Sequence, residues 1–300
     1  MQVHRGAVEI VVQTPAKLNL FFEVLGKRAD GYHEIETLMC PISLCDTLYF
    51  RRTSSQDLEL ECSWGMTAPG GSGFDDVPRD GKNLVWRAID LLRRRTGATQ
   101  GAKFRLIKRI PTAAGLGGGS SDAAAALVAA NLGWKLDIPL PELAALAAEL
   151  GSDVPFFLQG GPAICRGRGE RIEPATGLGS MHFVVVRPPQ GLATAAVYGA
   201  CRPAESPRHI EPLLNALRQG DARQSGRLLF NRLQIAAEQL SPWIETLARL
   251  MAAEDCLGHG MSGSGTAYFG MFRGATQTRR VARRLRARDI GCVVAAQTCI

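Results

Sequence analysis

The stretch Ile110-Pro-Thr-Ala-Ala-Gly-Leu-Gly-Gly-Gly-Ser-Ser-Asp-Ala-Ala-Ala-Ala-Leu127 decides how this chain is read. Glycines at 115, 117, 118 and 119 remove Cβ atoms where a backbone turns sharply or comes close to a ligand. Ser120, Ser121 and Asp122 are residue types that cap helices, and Ala123 to Ala130 is a helix-forming run. A glycine loop that opens a helix gathers free N–H groups at the positive end of the helix dipole, which makes an anion site with phosphate as its natural guest. A Gly-Gly-Gly-Ser-Ser run also suits a flexible linker, but an apolar strand leads into this one and an alanine helix leads out. No Gly-Lys-Ser/Thr follows at Walker A spacing, so a phosphate cradle here is of another kind.

The 300 residues, 46% of them hydrophobic, are enough for a sizeable core and suggest two domains. A net charge of +7 suits nucleic acid, a membrane surface or an anionic small substrate, and does not choose among them. The arginine clusters at Arg93–Arg95 and Arg279–Arg288 also read as solvated helix faces. Eight cysteines without a Cys-x-x-Cys pair or a metal-ligand spacing predict reduced thiols and a cytoplasmic protein. Met1 to Gly6 lacks the apolar region of a secretory signal, and no window reaches the ~18 to 20 apolar residues of a membrane span.

Along the chain, Val8–Gln13 and Thr14–Leu25 predict strand, with Lys17 and Asn19 on one face and Leu18 and Leu20 on the other. That alternation alone reads as a half-exposed strand. A turn-rich loop from Gly26 to Glu34 carries Lys27, Arg28, Tyr32 and His33, a composition found in ligand-binding loops and in plain connectors. Strands are predicted at Ile35–Leu44, Asp46–Arg51, Leu58–Cys62 and Lys103–Ile110, and helices at Asn83–Thr96 and Pro141–Leu150. The segment Gly65–Lys82 predicts a long exposed loop.

Asp153 stands between a helix end and the apolar run Val154-Pro-Phe-Phe-Leu158, where it serves either as a partly desolvated general base or as a cap of the following turn. Beyond residue 165, a buried-type strand (His182–Val186), a loop or short helix at Thr194–Tyr198, helices at Ile210–Arg218, Gln224–Leu229, Trp243–Ala253 and Gln277–Arg288, and strands at Thr266–Phe272 and Val293–Gln297 predict a second α+β half. The expected domains are therefore 1–165 and 166–300. Gly258–Gly263 matches Gly-x-Gly-x-x-Gly, but a strand rather than a helix follows, which rules out a dinucleotide fingerprint. Met261 to Thr266 is instead a second small-residue loop able to approach the first.

Pro15-Ala-Lys-Leu-Asn-Leu20, the loop Gly115–Ser121 and Ser262-Gly-Ser-Gly-Thr266, in this order, resemble the three motifs of the GHMP small-molecule kinases. Arg28-Ala-Asp-Gly-Tyr-His33 and Gly151-Ser-Asp-Val-Pro-Phe-Phe157 are similar to the branch whose acceptor is a cytidine-diphosphate-linked polyol of the non-mevalonate isoprenoid pathway. The likeness runs from about Val8 to Phe272 in one order. It implies a two-domain α+β fold, with an N-terminal domain like domain 2 of ribosomal protein S5 and a ferredoxin-like C-terminal domain.

It also implies that Asp153 is the catalytic base and Lys17 its charged partner. The same resemblance places ATP on Pro111, Thr112, Ala113, Ala114, Gly115, Leu116, Gly117, Gly118, Gly119, Ser120 and Ser121, and the acceptor on Asn19, Tyr32, His33, Thr194 and Tyr198. Tyr32 and Tyr198 are expected to sandwich the cytosine. Mg²⁺ accompanies ATP, with Ser121 as a candidate protein ligand, and no dedicated metal site, nucleic acid or membrane partner is implied. Ala193 and Ala195 depart from the Ser or Pro that often flanks the threonine. The rivals are a family member acting on mevalonate, homoserine or a sugar, and a non-catalytic protein on the same fold.

Overall fold

A computed structural model of the chain describes residues 1–65 and 77–299. Most of the expected loop at 65–82 lies outside the described residues. The N-terminal half runs β1 (Gln2–Arg5), β2 (Ile10–Lys27), β3 (His33–Thr53), β4 (Leu58–Trp64), α1 (Leu84–Thr96), β5 (Gly101–Lys108), α2 (Gly118–Trp134), α3 (Leu140–Leu150), α4 (Val154–Gln159), β6 (Ala163–Gly167) and β7 (Arg171–Pro174). The remainder runs β8 (His182–Arg187), α5 (Thr194–Ala200), α6 (Glu211–Arg218), α7 (Ala222–Arg227), β9 (Phe230–Asn231), α8 (Leu233–Leu240), α9 (Pro242–Ala252), β10 (Gly258–Met261), β11 (Tyr268–Phe272), α10 (Ala275–Arg286) and β12 (Cys292–Gln297).

The expected α+β architecture is present. One sheet has the order β1-β2-β3-β5-β4, with β6 and β7 continuing from β3 and the short β9 pairing with β2. A second, antiparallel sheet has the order β10-β11-β8-β12. Strand β6, which contains residue 165, and β7 beyond it both belong to the first sheet.

Period-two alternation along β8 shows how the layers stack. Phe183 and Val185 pack with Leu18, Leu20, Leu38 and Ile42 of the first sheet. Val184 and Val186 pack against Leu233, Ile244, Leu247, Val281 and Leu285 of the C-terminal helices. The first sheet is covered on its other face by α1 to α4, where Phe50, Phe104 and Leu106 meet Val85, Leu92 and the alanines of α2. Strand β2 is thus covered on both faces, and Lys17 and Asn19 are only 4% and 2% exposed. The half-exposed reading of β2 is corrected for that reason: the layers that cover it come from distant parts of the sequence.

Predicted elements recur with ends shifted by a few residues, and two differences have a clear cause. The break expected at Cys45 is a register shift opposite Pro15–Ala16 within the continuous β3. Helix α2 starts at Gly118, so Ser120, Ser121 and Asp122 lie inside its first turn instead of capping it. The cap is Gly117, with a left-handed φ of 71° that a side chain would strain. Small elements without strong periodicity, including the β6–β7 hairpin and α8, were not foreseen.

Packing predicts one sharp intolerance. A Cβ at Gly133 of α2 would stand 1.9 Å from Cε1 of Phe50, whose ring is held by Phe104 and Trp134 at centroid separations of 5.0 and 6.0 Å. Gly133→Ala is expected to cost about 1–3 kcal/mol of overpacking despite alanine's better helix propensity. Urea denaturation checks this, and an unchanged midpoint would contradict the packing argument.

Candidate active site

The site is built where three backbone segments meet. The Lys17 N–H donates to Leu116 O at 3.0 Å, joining β2 to the first glycine loop. The Ala267 N–H donates to Ala114 O at 3.0 Å, and Ser262 Oγ donates to Gly115 O at 3.0 Å, which joins the second small-residue loop to the first. The loops approach so closely that a Cβ on Gly115 would lie 2.1 Å from Ser262 O.

On this frame Lys17 Nζ donates to Asn19 Oδ1 at 2.5 Å and sits 3.7 Å from Asp153 Oδ2. Asn19 Nδ2 donates to Thr37 Oγ1 at 2.8 Å, so the amide is fixed with its oxygen towards the lysine. Asp153 occupies the N-cap position of α4 but its side chain makes no capping hydrogen bond. The carboxylate is one-third exposed and turns to Lys17 and to solvent. Of the two readings left open for Asp153, the capping one has no hydrogen bond behind it. Burial pulls the Lys17 ammonium below the ordinary lysine range, against the opposing pull of Asp153.

A cleft of about 760 Å³ opens above this pair. Lys17, Asn19, Tyr32, His33, Asp153, Thr194 and Tyr198 all line it, as do Ala113, Gly115, Gly117 and Ser120 of the glycine loop. The other loop candidates point elsewhere. Ala114 and Leu116 are buried in the core between the sheets. Gly118 and Pro111 are buried, Gly119 lies beside Leu84, and a Thr112 Oγ1 without a hydrogen-bond partner is sealed from the surface. Ser121 Oγ donates to Pro15 O at 2.6 Å, away from the cleft. The first turn of α2 presents N–H groups without carbonyl acceptors of their own, and its dipole makes them an anion seat.

At the other end of the cleft the ring centroids of His33 and Tyr198 lie 5.1 Å apart at 33°, and the Phe22 ring, edge-on to Tyr198, has its centroid 6.5 Å away. Tyr32 is 56% exposed, and the Arg168 guanidinium lies 4.9 Å from its ring centroid. Burial, and then the nearby Lys27, hold His33 below the usual histidine range, which favours a neutral imidazole able to donate and accept. Thr194 Oγ1 hydrogen-bonds Ser264 Oγ at 2.9 Å, tying α5 to the second loop.

Arg168 and Phe22 also line the cleft without belonging to any of the sequence motifs, as do Lys27 of the Gly26–Glu34 loop and Ser264 of the second small-residue loop. The available signal for Arg168 was its place between Gly167 and Gly169, which turns out to be the turn of the β6–β7 hairpin. Among the described residues no group of three or more His, Cys, Asp or Glu is placed to hold a metal. No helix among them is long and apolar enough to cross a membrane.

A helix terminus suited to phosphate, a buried lysine beside a cleft-facing aspartate, and two apposed glycine loops define a class of small-molecule kinase. The chain matches the GHMP kinases N terminal domain over residues 83–161 and the GHMP kinases C terminal over 213–290, and it belongs to that family. A curated 4-diphosphocytidyl-2-C-methyl-D-erythritol kinase of Pelotomaculum thermopropionicum is 42% identical over 276 residues, covering 91% of this chain and 93% of the relative. The protein of the same name from Shouchella clausii is 38% identical, covering 92% and 90%. A crystal structure of 4-(cytidine 5'-diphospho)-2C-methyl-D-erythritol kinase superposes with a TM-score of 0.81 at 37% identity, over 97% of this chain and 99% of that one. A Leishmania major mevalonate kinase, at 16% identity and a TM-score of 0.75, shares the fold.

The depressed Lys17 gives a stability prediction. Folding disfavours its charged form, so the penalty is present below the folded-state pKa and is relieved as pH rises through it. Lys17→Met, which removes that penalty and leaves Asp153 one-third exposed to water, is therefore expected to gain stability relative to the parent chain at neutral pH, a gain that shrinks as pH rises. Thermal unfolding reads this out; a clear fall in Tm would mean that the contacts to Asn19 and Asp153 outweigh the desolvation.

Proposed function

We propose that the chain transfers the γ-phosphoryl group of ATP to the 2-hydroxyl of 4-diphosphocytidyl-2-C-methyl-D-erythritol, giving the 2-phosphate and ADP, a step of non-mevalonate isoprenoid precursor synthesis. The observation that carries the reading is that one cleft joins the Lys17–Asp153 pair, the glycine loop and the His33–Tyr198 rings. The names and coverage of the relatives support the same substrate.

In this reading, residues 1–165 supply the phosphate loop and the lysine–aspartate pair, and 166–300 supply Thr194, Tyr198 and the second loop. Asp153 takes the proton of the acceptor hydroxyl as its oxygen bonds to the γ-phosphorus and the bond from that phosphorus to the β-phosphate oxygen breaks. Lys17, beside the carboxylate, offsets negative charge on both the base and the transferring oxygens, which is the protein's main contribution in phosphoryl transfer. The open N–H groups of α2's first turn receive the phosphates without a P-loop lysine.

Mg²⁺ bound with ATP would supply further charge neutralisation on the phosphates. Of the two loop serines only Ser120 opens on the cleft, so Ser120 rather than Ser121 is the side chain placed to meet it. Tyr198 and His33 offer a stacking face and a polar edge to the pyrimidine. Arg168 stands over the Tyr32 ring, and both residues line the cleft, so the guanidinium adds a cation at the end where the pyrimidine and its phosphates would lie. The reaction needs neither nucleic acid nor membrane, and the eight free cysteines suit the cytoplasm.

ADP release with ATP and Mg²⁺ is expected with the cytidylyl acceptor and not with mevalonate, homoserine or galactose; turnover of another acceptor would leave the phosphate loop standing and discard the pyrimidine pocket. Asp153→Asn is expected to retain ATP binding while turnover falls by about 10²- to 10⁴-fold. Near-normal turnover would remove Asp153 from the base role. In calorimetry, Tyr198→Ala is expected to weaken acceptor binding by about 1–3 kcal/mol and leave ATP binding unchanged, whereas equal losses for both ligands would count against stacking.

A further inference from the structure

Three ionisable side chains are sealed beneath the glycine loop and have no part in the chemistry above. Asp46 of β3, Lys108 at the end of β5 and Asp122 in the first turn of α2 are 0%, 3% and 3% exposed. Lys108 Nζ donates to Asp122 Oδ2 at 2.6 Å and also to Asp46 Oδ2. The second oxygen of Asp46 accepts the backbone N–H of Ile110 at 2.8 Å and that of Arg109. Burial works against the ammonium, but the carboxylates of Asp122 and Asp46 overcome it and raise Lys108 above the ordinary lysine range.

Stability alone is a weak reason for this cluster. Desolvating three charges costs several kcal/mol each, and well-packed apolar residues of similar volume are often as stable or more so. The cluster is also imperfect, since Asp122 Oδ1 has no hydrogen-bond partner among the described residues.

Its position is more telling than its energy. The backbone from Arg109 to Gly117 leaves β5 and returns to α2, and both of its ends are tied to the same ammonium: the entry through Asp46 and the exit through Asp122. A Cβ on Gly118 would stand 3.3 Å from Lys108 Nζ, so the cation lies directly behind the turn that offers its N–H groups to the cleft. Residues 110 to 121 contain no lysine or arginine, so nothing within the loop itself holds its shape by charge.

We propose that Lys108 is a positioning residue for the nucleotide: clamped between Asp46 and Asp122, it fixes the separation of the loop's entry and exit, so the first-turn N–H groups of α2 are aligned before phosphate arrives. Such preorganisation of donors is what makes an anion seat effective. The proposal rests on the reading of this loop as the ATP site.

The test compares steady-state constants for both substrates in the full chain. Lys108→Met is expected to raise KM for ATP at least tenfold while KM for the cytidylyl acceptor stays within twofold, and Lys108→Arg to recover part of the loss. A purely structural lysine would lower Tm without splitting the two KM values, and that result, or an equal rise in both, overturns the proposal. Should Lys108→Met fail to fold, Asp122→Leu removes both acceptor oxygens at the loop's exit at similar side-chain size and keeps the Asp46–Lys108 pair. The same split is then expected, at threefold or more, and an unchanged KM for ATP overturns the proposal. Calorimetric titration of ATP into the unmodified chain separates the two ideas. No binding there removes the nucleotide reading together with this one, whereas normal binding with unaffected variants removes this one alone.

Discussion

Everything functional in this molecule depends on the contact between two glycine-containing loops separated by about 150 residues of sequence. Gly115 and Ser262 meet at a distance no side chain on residue 115 would permit, and the serine hydroxyl and the Ala267 amide bond across the join. Buried backbone groups left without partners cost about 1–3 kcal/mol each, so the contact is well specified once formed. It brings β2, with its lysine, up to the seam between the two sheets, and it sets the floor on which the cleft opens.

Two lysines lie beneath consecutive glycines of that floor, and their surroundings have opposite effects. A Cβ on Gly117 would stand 3.1 Å from Lys17 Cγ, and one on Gly118 would stand 3.3 Å from Lys108 Nζ. Lys17 has one carboxylate nearby, 3.7 Å away and shared with water, and burial lowers its proton affinity. Lys108 has two fully buried carboxylates in contact, and its affinity is raised. The first arrangement leaves a cation with charge to spare for a substrate; the second uses the cation up in holding backbone. Sequence spacing shows neither difference, because each depends on partners from distant strands.

Legibility in the sequence follows the range of the interaction. The glycine loop, the alanine helix and the amphipathic stripes of α1 and α10 are local patterns, and they were readable as such. The burial of Lys17 was not, because the alternation of β2 looks the same whether its polar face meets water or a second layer. The preference for Ser120 over Ser121 as the hydroxyl facing the cleft came from where α2 begins, one residue after a left-handed Gly117. Only the backbone conformation locates that start. Arg168 sits in a hairpin turn whose strands are four and five residues long, too short for periodicity to announce them, so its approach to Tyr32 had no sequence signature beyond two flanking glycines. The resemblance of five ordered motifs supplied the substrate class, which residue chemistry alone left open.

The two-residue strand β9 has a bearing on how the chain is made. Phe230 and Asn231 pair with Phe21 and Phe22 of β2, Arg232 closes on the buried Glu23 at 2.7 Å, and Asn231 donates to Met261 O and Gly263 O at 2.7 and 2.8 Å. A nascent polypeptide that has not yet emerged past residue 232 therefore holds an N-terminal sheet with one edge open and a carboxylate still lacking its arginine. The first strands out of the ribosome wait for more than three-quarters of the protein before they are complete. Vectorial synthesis thus delivers the first glycine loop early and the second loop that meets it late, so partly made copies hold the parts of a kinase without being one.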